Sequence, residues 1–455
     1  MSSTPAPPTT LLSPPLIWTT IGSIALIFLG AFEALAVTTI MPTIARELDG
    51  EALYSAAFAG TLAASVIGMV VVGRGSDRSG PTIPLVVSML VFVVGLALSG
   101  VATNMEVFVL GRIFQGLGNG GVTVALYVVV GRLYPAALHP RIFGAFAAAW
   151  VLPSLIGPPV AGVVADVFSW HWVFLGVGVL ALVAGASLIP ALGALRGAGV
   201  PVGDLDEALG RPTSAWSIVW SVVVAAGILA ISFSGEGGLW WLAAASLVVV
   251  VIALRPLVPR GTLIVRRGLP ATVLLRGVIA ATFFASEVYL PYMLNEKYGL
   301  PTWAAGLILT VGALAWAGGS QLQSRIGDRM PHHAVARIGA VSLAIGIVGQ
   351  FVTAVLFLPY GFAAVAWTFA GAGMGLLFPR ISTLVLGHST SRDQGFNSAA
   401  MSITDATGGA TAIAFAGLVF AAFGSAQGDG FAAALGFTGL IALAAIPVAL
   451  RLRTD

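Results

Sequence analysis

Cysteine is absent from this 455-residue chain, which excludes disulfides, thiolate metal sites and cysteine nucleophiles. Lysine occurs once, as Lys297, so no Gly-Lys-Ser/Thr phosphate loop exists and the chain is not expected to use ATP. Charge of either sign is scarce: Asp, Glu, Lys and Arg make up 9% of the residues, against roughly a quarter in an average soluble domain. The five histidines show no ligand spacing, and neither a metal nor any other cofactor is expected. The net charge of +3 comes from basic residues scattered singly, which argues against a nucleic-acid partner. The stretch 116–121 formally matches a dinucleotide fingerprint, but it follows no strand and lies in an apolar helix, so it is set aside.

What is present is apolar length. Hydrophobic residues make up 58% of the chain and are spread along all of it, the mark of one membrane-embedded body. A membrane-spanning helix needs about 20 apolar residues. Gly, Pro and charges divide the chain into fourteen such stretches, at about 17–41, 52–73, 82–102, 106–131, 140–165, 170–192, 215–234, 238–255, 271–294, 302–325, 335–357, 361–386, 396–423 and 431–451. Residues 1–16 read as a disordered cytoplasmic tail without a cleavable signal. Residues 17–192 and 271–455 read as two six-helix halves, and 193–270 as a polar loop, an inserted helix pair and a basic loop.

The positive charges test this division. Seventeen of the 21 fall on connections of one parity, two on the other (Arg46 and Lys297), and two inside spans (Arg112 and Arg276). A missed or invented span would flip the parity from that point onward, so the positive-inside rule places both termini in the cytoplasm. The basic stretch 255–267 reads as one more such loop, with contact to anionic membrane lipid as the alternative. Trp18, Trp170, Trp172, Trp240 and Trp241 read as anchors at the membrane surface. A weak internal repeat supports two halves: Glu33 and Glu287 lie at similar depths in the first helix of each, followed 44 and 41 residues later by Asp77-Arg78 and Asp328-Arg329. Parallel six-helix repeats with a site between them are a secondary-transporter architecture.

Charges inside spans are the candidate functional groups. Arg112 costs about 2.5 to 3.5 kcal/mol on insertion scales and needs a partner or a water-filled cavity, unless it snorkels to the nearby end of its helix. Gln115 and Asn119 follow at i+3 and i+7, which makes one face of that helix polar. Glu33 has nothing nearby in sequence to neutralise it, and a buried carboxyl that gains and loses a proton is what proton coupling requires. Glu287 sits in similar surroundings; Arg276, eleven residues earlier and about three turns away, is too far to pair with it. Asp405, among Ser402, Thr404 and Thr407, is the third candidate, for transport or for satisfaction by hydroxyls or an arginine at a helix crossing. These acids stand singly on different helices, which disfavours a membrane enzyme; no enzymatic activity is expected. A channel would ignore the proton gradient.

The segment Gly73-Arg-Gly-Ser-Asp77-Arg78-Ser-Gly80 reads as a tight turn between spans two and three, with Gly73 and Gly80 permitting it, Asp77 facing a helix N-terminus and Arg78 at the headgroups. It resembles the signature loop of the major facilitator superfamily. Leu-Gly-Arg112-Ile-Phe-Gln115-Gly-Leu-Gly118 is similar to the Arg-x-x-Gln-Gly-x-Gly motif of that superfamily's drug:proton antiporters. Gly144, Pro153, Gly157, Pro158 and Gly162 resemble their glycine- and proline-rich antiporter motif. Departures include Gly75 for Leu and Pro81-Thr82 for a basic pair in the signature loop, and Pro153 and Ala161 for glycines in span five.

The resemblance covers nearly the whole chain and points to the fourteen-span branch. It implies an all-α integral membrane protein with the major facilitator fold, two six-helix bundles plus two extra central helices. It further implies a monomeric proton-coupled antiporter in the plasma (inner) membrane that expels small hydrophobic or amphipathic, in part cationic, compounds, giving multidrug efflux and antibiotic resistance. An exporter or flippase of an endogenous lipid, peptide or metabolite is the alternative.

Overall fold

The computed structural model describes residues 10–14, 16–135, 138–190, 192–193, 215–234, 239–326, 329–390, 394–424 and 429–452. Residues 1–9 of the expected tail, 194–214 of the polar loop, and Asp328 lie outside them. Among the described residues are fourteen α-helices of fifteen residues or more. We number them α1 (Ile17–Glu47), α2 (Tyr54–Ser79), α3 (Thr82–Gly100), α4 (Met105–Leu133), α5 (His139–Val167), α6 (His171–Ala186), α7 (Ala215–Phe233), α8 (Trp240–Leu254), α9 (Leu269–Tyr298), α10 (Thr302–Ile326), α11 (His332–Leu356), α12 (Tyr360–Gly387), α13 (Gln394–Phe423) and α14 (Asp429–Leu450).

Thirteen are long and apolar enough to cross a membrane, α8 by continuing through a 3₁₀ turn to Leu257; the exception is α6. The sequence predicts a span over 170–192, but the helix has 16 residues, about 24 Å of rise. Pro190 accounts for the break: it has no N–H for the Ala186 carbonyl four residues back, and its ring clashes with that carbonyl. Elsewhere membrane helices tolerate proline, with Pro42 inside α1, Pro153, Pro158 and Pro159 inside α5, and Pro291 inside α9.

Helix packing repeats the two-half pattern. In the first half, α1 packs on α5 and α6, α4 on α2 and α3, and α3 on α6. In the second, α9 packs on α13 and α14, α12 on α10 and α11, and α11 on α14. The same five pairings recur one for one. The halves meet along two seams, α2 with α13 and α5 with α10. The extra pair stands at the first of these: α7 touches both α2 and α13, while α8 packs on α7.

Close approach within the first half depends on the glycines of α4. A Cβ on Gly116 or Gly120 would strike the backbone of α2 at Thr61 or Ser65, and one on Gly118 the backbone of α3 at Phe92. The 116–121 glycines are a packing surface.

Candidate functional site

The segment expected to turn between α2 and α3 is mostly helical. Gly73, Asp77 and Arg78 lie within α2, which continues to Ser79, and the turn is made by Gly80, at φ 79°, and Pro81. That φ is open to glycine and strained for other residues. Arg132, near the end of α4, donates from Nη2 to the Ser76 carbonyl at 3.1 Å and so satisfies an end carbonyl of α2. Arg78 and Arg329 are exposed.

Four charged side chains are buried among the described residues: Glu33, Arg112, Arg276 and Arg380. Arg112 does not snorkel. Its Nη1 donates to Oε1 of Glu33 and to Oε1 of Gln115, and its Nε to the Ala57 carbonyl at 3.4 Å. Gln115 passes the network on through Nε2, to Ser99 Oγ at 2.8 Å and the Gly95 carbonyl at 3.2 Å. Glu33 therefore does have a counter-charge, supplied by a helix 79 residues away in sequence. One connected set of polar groups ties α1, α2, α3 and α4 together. Asn119, the third polar residue on this face of α4, is half-buried and lies against Gly30 of α1.

The second half has its own pair. Arg276 on α9 holds Asp405 on α13 with both arms, Nε to Oδ1 at 2.9 Å and Nη2 to Oδ2 at 3.4 Å. Its Nη1 reaches the Phe378 carbonyl and Ser382 Oγ of α12, both at 3.4 Å, and its guanidinium lies 3.0 Å above the centre of the Phe378 ring. Asp405 is thus paired with an arginine where α9 and α13 cross.

Glu287 stands apart. Among the described residues its carboxylate has no hydrogen bond and no ion pair. It is one of four half-buried residues, with Leu274, Val278 and Phe284, on an α9 otherwise almost wholly enclosed. Leu274 and Val278, four apart, share one face of the helix, and Phe284 and Glu287, three apart, share another. On α1, Phe28 and Phe32 are also half-buried, with ring centres 6.4 Å apart.

Side-chain bonds between the halves gather at the membrane face opposite the termini. Arg46 at the end of α1 pairs with Glu296 near the end of α9 at 2.9 Å. The Tyr54 hydroxyl at the start of α2 donates to the Val288 carbonyl at 2.9 Å, and its ring stacks on Tyr292 at 4.5 Å. The seam between α5 and α10 closes at the same end: a Cβ on Gly162 would meet the Trp303 backbone, one on Gly306 the Pro158 carbonyl, and Thr310 donates to the Leu155 carbonyl at 3.2 Å. Of the other antiporter-motif positions, Gly157 lies beside Phe32, whereas Gly144 faces open space and Pro153 is absorbed into α5.

Two residues depart from their sequence-based roles. Arg380, counted with loop charges, is buried inside α12, with Nη1 2.7 Å from Nδ1 of His332. The signal for it was its place within the apolar stretch 361–386. Trp170 is no surface anchor: it is 1% exposed, and its Nε1 donates to Glu47 at 2.6 Å. Trp18, Trp172, Trp240 and Trp241 are exposed. Among the described residues no group of His, Asp and Glu could hold a metal ion.

Residues 22–364, three quarters of the chain, match the family model of the Major Facilitator Superfamily. The chain belongs to that superfamily. Its fourteen helices fit the fourteen-span branch, and the family is one of transporters, not of enzymes. The superfamily member is 27% identical to the multidrug transporter protein MdtP of Bacillus subtilis over 403 residues, 82% of this chain and 69% of that one. An uncharacterized transporter of Schizosaccharomyces pombe is 37% identical over 149 residues, 32% of this chain and only 25% of that protein. In fold, the chain is similar to the crystal structure of a bacterial homolog of the human lysosomal transporter Spinster, with a TM-score of 0.66 at 14% identity, covering 97% of this chain and 99% of that one.

Proposed function

We propose that this transporter is a proton-coupled antiporter that expels small hydrophobic or amphipathic compounds, in part cationic, by alternating access. The observation that carries the reading is the contrast among the three intramembrane acids. Glu33 and Asp405 are each held by an arginine, whereas Glu287 lies partly exposed with no counter-charge among the described residues. A carboxylate so placed favours either a proton or a cationic substrate, and cannot keep both, which is the competition that antiport needs. The half-buried Phe28, Phe32 and Phe284 suit the apolar part of such a compound. The multidrug name of MdtP agrees with this class of substrate.

On the positive-inside reading the termini face the cytoplasm, and the closed face is the outer one, so the state described is one that loads from inside. Glu287 then trades its proton for substrate, and Glu33 and Asp405 serve coupling only when Arg112 and Arg276 release them. The locus is the plasma membrane. The test is uptake of a lipophilic cationic dye into proteoliposomes under an imposed pH gradient. Glu287→Gln should abolish gradient-driven dye movement while the protein still folds and binds neutral compounds; unchanged gradient dependence would overturn the assignment.

A further inference from the structure

We propose that the loop between α8 and α9 is a binding site for the phosphate headgroup of an anionic phospholipid on the face that carries the termini. Its side chains are of one sign. Arg255, Arg260, Arg266 and Arg267 are all exposed, and Arg451 from the end of α14 joins them. The sequence holds no acidic residue between Glu236 and Glu287, so the segment itself carries charge of one sign only. A guanidinium matches the geometry of a phosphate diester with paired donors, and juxtamembrane clusters of arginine attract anionic lipid.

The loop holds these groups in a defined shape. It folds through two short 3₁₀ turns, Arg255–Leu257 and Thr262–Ile264. Thr262 Oγ1 donates to the Pro259 carbonyl at 2.7 Å, and the Arg266 N–H to the Gly261 carbonyl at 3.0 Å. Val265 sits in the left-handed region at φ 54°, unusual for a β-branched residue, and Arg451 Nη1 donates to its carbonyl at 3.2 Å. The Gly268 N–H returns a bond to the Arg451 carbonyl at 3.4 Å.

An apolar tip decides between the two sources of phosphate. Ile264 is 74% exposed at the point of the loop, directly before Val265 and Arg266. The loop joins helix ends, Leu254 and Leu269, and is bonded to the end of α14. That places Ile264 at the acyl boundary and the arginines among headgroups. Free phosphate would use the arginines and leave Ile264 in water; a diacyl lipid uses both. Because the loop ties the inserted pair to the second half, a lipid held there bridges α8, α9 and α14.

The experiment takes the full chain in nanodiscs of phosphatidylcholine and titrates phosphatidylglycerol, read by native mass spectrometry. The wild type should retain phosphatidylglycerol selectively, with an affinity that falls as salt rises. Each arginine removed should weaken it about fivefold, so the variant R255Q/R260Q/R266Q/R267Q should lose roughly several hundredfold. Should that variant not fold, R255Q/R260Q, which spares the second turn and Arg266, should lose about 25-fold. Ile264→Ser, with every charge kept, should weaken the diacyl lipid severalfold and leave inorganic phosphate unaffected. Equal retention of phosphatidylcholine, or unchanged affinity in the arginine variants, would overturn the site. Competition by inorganic phosphate at millimolar concentration would overturn the lipid as its ligand.

Discussion

The two buried arginine–carboxylate pairs do the same chemistry at opposite depths. Arg112 lies seven residues into α4, about 10 Å from the face opposite the termini, and Arg276 seven residues into α9, about 10 Å from the face that carries them. The first pair lies toward the closed end of the molecule, where Arg46, Tyr54 and the seam between α5 and α10 join the halves. Both its side chains are 3% exposed, and its neutral neighbours are bonded in turn through Gln115 and Ser99. The second pair is looser: Asp405 is 20% exposed, and Arg276 completes its contacts with an aromatic face and two bonds at 3.4 Å. A charge pair sealed from water is costly to break from one side, and a pair that water can reach is not. The first is therefore suited to hold one state, and the second to exchange partners within it.

The largest effect that tests this contrast is Arg112→Leu, which leaves Glu33 buried without its counter-charge. It should destabilise the protein by about 3–5 kcal/mol in a reversible denaturant titration in detergent, with much of the loss recovered in the double variant with Glu33→Leu. Arg276→Leu should cost less, about 1–3 kcal/mol, because water at Asp405 screens the orphaned carboxylate. Equal losses at the two sites would remove the distinction drawn between them. Ser99→Ala should cost about 1 kcal/mol by taking an acceptor from Gln115, and Ser382→Ala less, since the bond it removes is long. Smallest is Arg46→Gln: its pair with Glu296 is 48% and 34% exposed, so the stability change should be about 0–1 kcal/mol and vanish in high salt. Its effect should appear instead in the equilibrium between states, as faster labelling of a cysteine placed at Ser55 in the closed face.

The helices were legible in the sequence because a span must be long, apolar and internally bonded, and that requirement is local. Even α6 is legible as a segment, and only its length escapes the sequence, because Pro190 shortens it. The residues with intramembrane charge were legible for the same reason, Arg112 and Glu33 above all. Their partners were not. Arg112 and Glu33 are 79 residues apart and Arg276 and Asp405 129, and no periodicity within a helix reports on a contact between helices. Arg380 shows the converse error: a charge near a helix end was counted as a loop charge, although the helix continues seven residues past it and neighbouring helices bury it.

The sequence alone therefore determined that this chain lives in a membrane, that it crosses many times in two repeated halves, and which few charged groups must be explained. It could do so because the cost of an unbonded backbone or a lone charge in hydrocarbon is paid residue by residue. Only the tertiary structure decided which of those charges neutralise one another and which is left over. Pairing depends on which faces of distant helices meet, and that is set by packing around small residues such as Gly116 and Gly408. Glu33 and Glu287 look alike in sequence; among the described residues the fold gives one an arginine and leaves the other without one.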